Sequence, residues 1–360
     1  MRQFQIDKTN LSDAHLVEGA VPEAGAGEVV FKVERFGLSA NNITYAVAGE
    51  TLGYWQFFKP CGDASGNAGL MPVWGFARIT ESNVDGMDVG ERVFGYFPPA
   101  DYLTMEPVDI AATHFYDGSQ HRAQLPKGYN IYRRVEAEPG YDPRSDDTRM
   151  LLYPLYLTAF VIADQLEEHD YYEADSVLVV SASSKTSIGL AYALQGSGKK
   201  TIGLTSAGNV EFVMGLGIYD AVVAYSDIEK DLPLAPSVIV DMAGNAELLG
   251  NLHALLGDRM RHTLSVGLTH WEADRRSSMV IKDRTEFFFA PSRVQKRIKD
   301  WGASEFGERS GRFVMKTAAD SLSWLEMKEL DGLDGLAKIY PDLLKGNMDP
   351  KDGFLVKMPE

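Results

Sequence analysis

The stretch Ser176 to Thr205, SVLVVSASSKTSIGLAYALQGSGKKTIGLT, decides the fold of this chain. It begins with a short β-branched run, Val177 to Val180, of the kind that forms a strand buried on both faces. Small polar residues follow, and the apolar residues from Ile188 to Leu194 then recur with helical spacing. A second apolar run, Thr201 to Leu204, comes after two glycines and two lysines. The pattern predicts a βαβ unit whose strand-to-helix turn carries the chemistry.

That turn has serines three residues apart, at Ser181, Ser184 and Ser187. The first amides of a helix lack intrahelical partners and face whatever lies beyond its N-terminus, where the helix dipole also favours negative charge. Dinucleotide-binding turns usually carry glycines here, so that the backbone approaches the pyrophosphate closely. We predict that Ser184, Lys185, Thr186 and Ser187 bind a pyrophosphate through amides and hydroxyls, and that Ser181 belongs to the same site. An N-capped helix in an ordinary α/β domain is the alternative.

The tripeptide Ser184-Lys185-Thr186 also resembles the end of a P-loop, in which a lysine reaches the β and γ phosphates. Both glycines of that motif are missing, because Ser184 precedes the lysine and Val179 lies five residues earlier, inside the strand. A nucleoside triphosphatase is therefore not expected.

Composition predicts a soluble, two-domain protein that acts on a small molecule. The 360 residues suffice for two domains, and 45% apolar with 24% charged residues is ordinary for globular proteins. No run of eighteen apolar residues exists, and the N-terminus has no signal-peptide core. A formal charge of −16 argues against nucleic acid and anionic membranes as the main partners. The one cysteine, Cys61, excludes an internal disulfide framework and favours the cytoplasm.

The residues before the βαβ unit have many short β-rich segments with frequent glycines. Residues 28–38, 73–82 and 84–95 all have strand-like patterns, which predicts a compact β barrel or sandwich. Residues 116–149 combine prolines with clustered charges and indicate an irregular excursion. Leu151 to Leu166 then has the pattern of a helix that leads to a second domain.

After the βαβ unit, strands and helices continue to alternate. The predicted elements are a helix over 209–216, strands over 221–225 and 237–244, a helix over 245–256 and a strand over 263–268. Such alternation builds a parallel, doubly wound sheet, and ligands bind these sheets at the carboxyl ends of the strands. The predicted fold class is therefore α/β, with a β-rich first domain.

In this order of elements, the chain resembles the medium-chain dehydrogenase/reductase superfamily, in particular its zinc-free quinone-oxidoreductase branch. The matching stretches are VVFKVERFGLSANNITYAVAG (29–49), GMDVGERVFGY (86–96), LYLTAFVIADQL (155–166), SVLVVSASSKTSIGLAYAL (176–194), TIGLTSAGNVEFVMGLGIYDAVVAY (201–225) and VIVDMAGN (238–245). The combinations NNITYA, GLTSAGNVEFV, DMAGN and GLTHWE also resemble a related family of unknown function.

The resemblance implies a GroES-like β barrel over 1–150, completed by about 305–360, and a Rossmann domain over 151–304. It also implies a nicotinamide cofactor in the cleft between the two domains. Two departures stand out, since serines replace the glycines of the turn and the Gly-His-Glu motif of the zinc-binding members is missing near residues 73–76. One cysteine cannot supply the usual catalytic and structural zinc ligands, so we expect no metal.

Cofactor preference is predicted from the stretch after the second strand, Thr205 to Asn209, where NAD-specific folds usually place an acid on the ribose diol. No acid occurs before Glu211, which favours NADP(H). We predict that Ser206, Asn209 and Lys185 lie near the 2′-phosphate. Plain helix caps at Ser206 and Asn209 are the alternative.

The other predicted cofactor contacts lie at the ends of the later strands, where the nicotinamide ribose and ring would pass. They are Tyr225, Gly244, Asn245, Val266, Gly267 and Thr269.

Four residues are candidates for catalysis. Tyr45 lies in NNITYAVAG, which resembles the segment where quinone reductases place polar active-site residues, and we predict that it donates a proton or orients the substrate. Asn41 or Asn42 would contact the substrate or the nicotinamide. His270 follows the fifth strand and has the chemistry of a proton donor near neutral pH. The alternatives are a barrel-core tyrosine at Tyr45 and a structural loop histidine at His270.

These expectations lead to an NADP(H)-dependent, zinc-independent oxidoreductase that reduces a carbonyl or an activated carbon–carbon double bond of a small molecule. A nucleotide-binding sensor or scaffold without turnover is the alternative, because the turn lacks glycines and no decisive acid/base pair is evident. The aromatic stretch Arg284 to Phe289 suits edge-to-edge pairing in a homodimer. The basic helix over 291–301 should present a solvated face or a subunit contact rather than bind a membrane.

Overall fold

The computed structural model describes residues 1–267 and 280–359, and these form two compact units. The first contains residues 1–151 and 325–360, and the second contains residues 152–324. The resemblance implied a return to the first domain near residue 305, whereas the return begins at Leu325. The reason is that Phe306 is buried in the core of the second unit, with Leu166 and Phe288.

The N-terminal part of the first unit is built from antiparallel strands. Its elements are β1 (Arg2–Asp7), β2 (Asn10–Glu18), β3 (Val29–Leu38), α1 (Ala40–Val47), β4 (Ala68–Gly69), β5 (Val73–Ser82), β6 (Arg92–Phe97), β7 (Tyr102–Met105), β8 (Pro107–Val108), β9 (His114–Asp117) and β10 (Ile131–Arg134).

The central part of the chain alternates helices and strands. Its elements are α2 (Asp146–Glu168), β11 (Ser176–Val180), α3 (Lys185–Leu194), β12 (Lys200–Thr205), α4 (Val210–Gly215), β13 (Ala221–Ala224), α5 (Ile228–Asp231), β14 (Ser237–Asp241), α6 (Ala246–Leu256), β15 (Met260–Ser265), β16 (Thr285–Phe287), α7 (Ala290–Trp301) and α8 (Ala303–Ser321). The C-terminal segment adds β17 (Glu326–Asp331), α9 (Gly332–Lys345) and β18 (Asp352–Lys357) to the first unit.

A long, largely antiparallel sheet forms the first unit. Among the described residues its order is β17-β18-β3-β5-β6-β10-β9-β8, with β7 on β3, and a smaller sheet has the order β2-β1-β4. Both ends of the central strand β3 are apolar and buried, with Phe31 and Phe36 fully buried, whereas Lys32, Glu34 and Arg35 in its middle are half-buried. The C-terminal strand β18 pairs directly with β3, so the end of the chain completes the sheet that its beginning starts.

The second unit holds a parallel sheet whose order, in the described part of the chain, is β13-β12-β11-β14-β15-β16. Every pairing in this sheet is parallel. This is the doubly wound order 3-2-1-4-5-6, in which the winding reverses between β11 and β14. The predicted fold class, an α/β protein with a β-rich domain and a Rossmann sheet, is confirmed.

The register of the sheet aligns the strand ends that matter for ligand binding. Val180, the last residue of β11, pairs with Leu204 of β12 on one side and with Asp241 of β14 on the other. The turns that follow these three strands therefore start at the same edge, beside the point where the winding reverses. Ligands of such sheets bind in this position.

The basic helix α7 has an exposed face, as predicted, and a buried face that carries two arginines. Arg293 and Arg297 are buried, and their Nε atoms donate to the carboxylate of Asp164 in α2 at 2.7 Å and 2.7–2.9 Å. Arg293 also pairs with Glu168, one turn further along α2. The two buried positive charges of α7 are therefore neutralised by α2 within the second unit.

No helix in the described ranges has both the length and the apolar composition needed to cross a lipid bilayer.

We expect Asp164→Ala to lower the free energy of unfolding by about 3 kcal/mol, because it leaves two buried guanidinium groups without their shared carboxylate. Asp300→Ala is the matched control, since Asp300 pairs with Arg297 and Lys296 but its side chain is 36% exposed, and an exposed pair is worth about 1 kcal/mol or less. Chemical denaturation of both variants measures the difference. Equal, small losses would contradict the role given to Asp164.

Candidate functional site

The turn after β11 has a strained start that neighbouring strands hold in place. Ser181 has φ +62°, a left-handed conformation that non-glycine residues rarely adopt. Its amide donates to the hydroxyl of Tyr225 at 3.0 Å, directly after β13. The next residue, Ala182, donates its amide to the Leu204 carbonyl and accepts from the Tyr219 hydroxyl, both at 2.9 Å. Serine therefore keeps a glycine-like turn because two tyrosines and a strand brace it.

The side chains of two predicted ligands, Ser184 and Ser187, form hydrogen bonds at the start of α3. Ser184 is the N-cap, and its Oγ accepts from the Ser187 amide at 3.2 Å. The Ser184 hydroxyl donates to Ser187 Oγ at 2.9 Å, and the Ser187 hydroxyl donates to the Val180 carbonyl at 3.4 Å. Both hydroxyl protons are given within the turn, and the contact of Ser184 and Ser187 with a pyrophosphate stays a prediction. Lys185 and Thr186 occupy the first turn of α3, and Lys185 is buried.

Ser183 is a candidate ligand that the sequence analysis missed. It is 8% exposed, and its Oγ accepts from Asn209 Nδ2 at 3.1 Å and from the Thr205 hydroxyl at 3.4 Å. Since both partners donate to this oxygen, the hydroxyl proton of Ser183 is directed to another acceptor. The serine run SASS was visible in the sequence, but the pairing of Ser183 with residues more than twenty positions away was not.

The segment after β12 contains no acidic residue. Its two predicted ligands, Ser206 and Asn209, do not cap a helix with their side chains, which was the alternative interpretation. Ser206 is exposed and precedes a short 3₁₀ turn, Ala207–Asn209, without a side-chain cap bond. Asn209 does not cap α4 with its side chain, which reaches Ser183 instead. Residues 183, 206 and 209 therefore line one corner at the carboxyl ends of β11 and β12.

The ends of β14 and β15 bring together two predicted glycines. Gly244 has φ +65°, and a side chain on Gly267 would place its Cβ 2.5 Å from the Met242 carbonyl oxygen. The amides of Val266 and Gly267 donate to the Asp241 carbonyl at 2.9 and 3.1 Å. The exposed Asn245 accepts from the Leu248 amide at 3.0 Å and is the N-cap of α6, which is a structural role. The predicted residues Thr269 and His270 lie outside the described residues.

Asp241 is a second residue that the sequence analysis did not select. Its side chain is 2% exposed at the end of β14, and its Oδ1 accepts from the amides of Ala243 and Gly244 at 2.9 and 3.1 Å. Burial raises the pKa of Asp241 to about 6, although the two amide donors act to lower it. A carboxyl with a perturbed pKa at the switch point of a doubly wound sheet is a functional-site candidate.

In the first unit, Tyr45 belongs to a buried group of aromatic side chains. Its ring lies 4.8 Å from Tyr54 and 5.5 Å from Tyr96, between ring centroids. The Trp74 indole N–H donates to the Tyr45 hydroxyl at 3.3 Å, and the hydroxyls of Tyr54 and Tyr129 lie 3.1 Å apart. We call these five residues the tyrosine cluster. Burial raises the pKa of Tyr45, so its hydroxyl stays protonated at neutral pH.

The two predicted asparagines beside Tyr45 have different roles. Asn42 is buried, and its Oδ1 accepts from the Ser39 amide at 2.8 Å while its Nδ2 donates to the Pro72 carbonyl at 3.1 Å. This side chain fixes the start of α1, which argues against a contact with substrate. Asn41 acts, together with Tyr96, to lower the pKa of the Tyr45 hydroxyl, which places its side chain near that hydroxyl. Of the two asparagines, Asn41 is therefore the candidate for a contact with substrate or nicotinamide.

A buried arginine contacts the tyrosine cluster and fixes one of its members. Arg122 is 1% exposed and donates to Asp117 Oδ2 at 2.6 Å, to Asn130 Oδ1 at 2.9 Å and to the Tyr129 carbonyl at 2.9 Å. Its guanidinium also lies 5.2 Å from the ring centroid of Phe57. The predicted irregular excursion over 116–149 thus has an ordered core, which holds Tyr129 in place.

Within residues 1–267 and 280–359, no three His, Cys, Asp or Glu side chains are arranged to hold a metal ion.

Comparison with solved structures identifies the fold. CurA from Vibrio vulnificus in complex with NADPH matches with a TM-score of 0.64 and 15% identity over 100% of both chains. A putative NADPH:quinone reductase from Bacillus thuringiensis matches at 0.62 and 14% identity, covering 99% of this chain and 98% of its own. The quinone oxidoreductase from Coxiella burnetii matches at 0.57 and 16% identity over 100% and 99%. The chain has the fold of these reductases. No curated protein matches the sequence.

A family model described as "Protein of unknown function (DUF2855)" matches residues 36–349. The chain belongs to this family. The resemblance seen in the sequence, to the quinone-oxidoreductase fold and to a related family of unknown function, is confirmed. In this DUF2855 protein the family match covers both the serine turn of the second unit and the tyrosine cluster of the first.

Because Ser181 is left-handed, we expect Ser181→Val to lower the free energy of unfolding by about 1–2 kcal/mol. Ser181→Gly removes the strain and should be tolerated. The same change at the exposed Ser206, whose φ is −69°, is the matched control and should alter stability by about 0.5 kcal/mol or less. Thermal or urea unfolding measures all three, and equal effects of the two valine variants would contradict the strain.

We expect Asp241→Asn to remove a pH dependence of stability. The folded protein keeps the Asp241 proton up to about pH 6, whereas the unfolded chain releases it near pH 4, so the wild type loses stability as the pH rises through this window. The variant has no such loss. Its free energy of unfolding in urea should therefore gain on the wild type by about 2 kcal/mol between about pH 4 and about pH 6.5. A difference that stays constant over this range would contradict a raised pKa.

Proposed function

We propose that this protein is an NADP(H)-dependent, zinc-independent oxidoreductase that reduces a carbonyl or an activated carbon–carbon double bond, on a small molecule of the quinone or enone type. The observation that carries the proposal is the braced serine turn at the switch point of a doubly wound sheet, beside a β12 end that has no acid. That combination suits a dinucleotide whose adenosine ribose carries a 2′-phosphate.

Two groups of the chain and one comparison support the cofactor assignment. The first turn of α3, with Lys185 and Thr186, offers a positive helix end to the pyrophosphate. Ser183, with its proton directed away from Asn209 and Thr205, suits an anionic oxygen near the ribose. The NADPH in the CurA complex is consistent with this choice of cofactor.

The chemistry would divide between the cofactor and the chain. When bound, the nicotinamide supplies a hydride to the substrate. Tyr45 would supply the proton, because burial keeps its hydroxyl protonated and the Trp74 indole N–H holds its oxygen. The apolar surface of the tyrosine cluster favours a flat or apolar substrate, consistent with the quinone reductase and quinone oxidoreductase among the structural relatives.

Further parts of the proposal come from the sequence. A homodimer is supported by the position of β16 at the edge of the parallel sheet in the described residues, where edge-to-edge pairing with a second copy is geometrically simple. A cytoplasmic location follows from the single cysteine.

Fluorescence titration of the purified protein with NADPH and NADH tests the proposal. We expect selective NADPH binding. Ser183→Ala should weaken NADPH binding by roughly 10-fold, since a hydrogen bond to a charged group is worth about 1.5 kcal/mol or more, and should change NADH binding less. Ser292→Ala, on the exposed face of α7, is the matched control and should change neither.

Binding of neither nucleotide would contradict the proposal. Selective NADPH binding without oxidation of NADPH across quinones, enones and aldehydes would contradict the catalytic part and leave a nucleotide sensor or scaffold.

A further inference from the structure

Trp74 donates a hydrogen bond to the hydroxyl of Tyr45, near which Asn41 and Tyr96 also lie. The indole nitrogen of Trp74 lies 3.3 Å from it, and an indole N–H donates hydrogen bonds but never accepts them. The Tyr45 oxygen must therefore accept from Trp74. As a consequence, the Tyr45 proton is directed away from Trp74, towards a different acceptor.

Packing fixes the indole in the orientation that this hydrogen bond requires. Trp74 is 8% exposed in β5, where it pairs with Tyr96 of β6. Its ring stacks on Phe94 with a centroid distance of 5.7 Å and an interplanar angle of 27°, and it contacts Tyr96 at 5.2 Å and Tyr129 at 6.1 Å. The donor is therefore preorganised by a strand and by the tyrosine cluster.

We propose that Trp74 is a positioning residue for proton donation, which acts by holding the Tyr45 hydroxyl with its proton facing the substrate. The proposal rests on the proposed function. As hydride reaches the carbonyl carbon or the β-carbon of an enone, negative charge develops on the carbonyl oxygen. The Tyr45 O–H bond breaks, its proton passes to that oxygen, and the electron pair stays on Tyr45, which later recovers a proton from water.

The Trp74 N–H favours this step because its acceptor becomes more negative as the proton leaves. A hydrogen bond to a phenolate is stronger than one to a neutral phenol, so the interaction strengthens towards the transition state.

A double-mutant cycle on Trp74 and Tyr45 tests the proposal, with NADPH and either benzalacetone or 9,10-phenanthrenequinone as the probes. Trp74→Phe should lower kcat by roughly 10- to 100-fold, less than the loss of a donor that contacts the oxyanion itself, and should change the KM for NADPH less than about two-fold. Tyr45→Phe should lower kcat at least as much. In the Tyr45→Phe background, Trp74→Phe should cause no further loss, because its effect passes through the Tyr45 hydroxyl.

Trp55→Phe is the matched control for the loss of indole volume. Trp55 is equally buried in the first unit, at 6% exposure, and it contacts Gly49 and Gly69 rather than the Tyr45 hydroxyl. Its replacement should leave kcat within about two-fold of the wild type. If Trp74→Phe fails to fold, benzothienylalanine at position 74 keeps the shape of indole and replaces the N–H by sulfur, and the same loss of kcat is expected.

The outcomes separate the inference from the proposed function. A wild-type protein without turnover of either probe contradicts the proposed function, and the inference with it. An active wild type in which Trp74→Phe behaves like Trp55→Phe contradicts the inference alone. The same is true if the effects of Trp74→Phe and Tyr45→Phe on kcat multiply.

Discussion

The hydrogen bond from the Ser181 amide to the Tyr225 hydroxyl is the interaction on which the candidate cofactor site depends. Glycine-rich turns reach a left-handed conformation without strain, whereas a serine does so only when its surroundings hold it there. Here Tyr225 holds the amide of Ser181, and Tyr219 holds the carbonyl of Ala182. The missing glycines are thus explained by structure outside the motif, and their absence is no argument against a nucleotide.

The buried charged residues of this molecule differ in whether they have partners of opposite charge. Arg122 has a carboxylate, a carbonyl and an amide oxygen as partners, and Asp164 is shared by two arginines, so both support packing. Among the described residues, Asp241 accepts from two amides and pairs with no cation, and burial raises its pKa. A carboxylate that destabilises the fold above about pH 6 is understandable if it serves the loop that follows β14.

The sequence was most informative where periodicity and chemistry coincide. Apolar spacing predicts the strand Val177–Val180, the helix after it and the later strands. The sequence itself shows that no acid directly follows Thr205. Tyr45 was selected because of its motif, and the structure shows its hydroxyl with a partner. These features are local, so one stretch of chain determines each of them.

What the sequence did not predict depends on contacts between distant residues. Ser184 and Ser187 are predicted to bind phosphate, but the Ser184 hydroxyl donates to Ser187 and the Ser187 hydroxyl donates to the Val180 carbonyl. Ser183 is a candidate ligand because Asn209 donates to its oxygen, and α7 is ion-paired because α2 supplies the carboxylates. Hydrogen-bond partners of this kind are set by tertiary packing, and no spacing rule contains them.

Hydrogen–deuterium exchange of the full-length protein, with and without NADPH, tests most directly whether the serine turn is a nucleotide cradle. The account predicts slower exchange on NADPH addition in peptides that cover residues 176–190 and 203–212, at the carboxyl ends of β11 and β12. Binding of NADPH that protects other segments and leaves these two unchanged would contradict it.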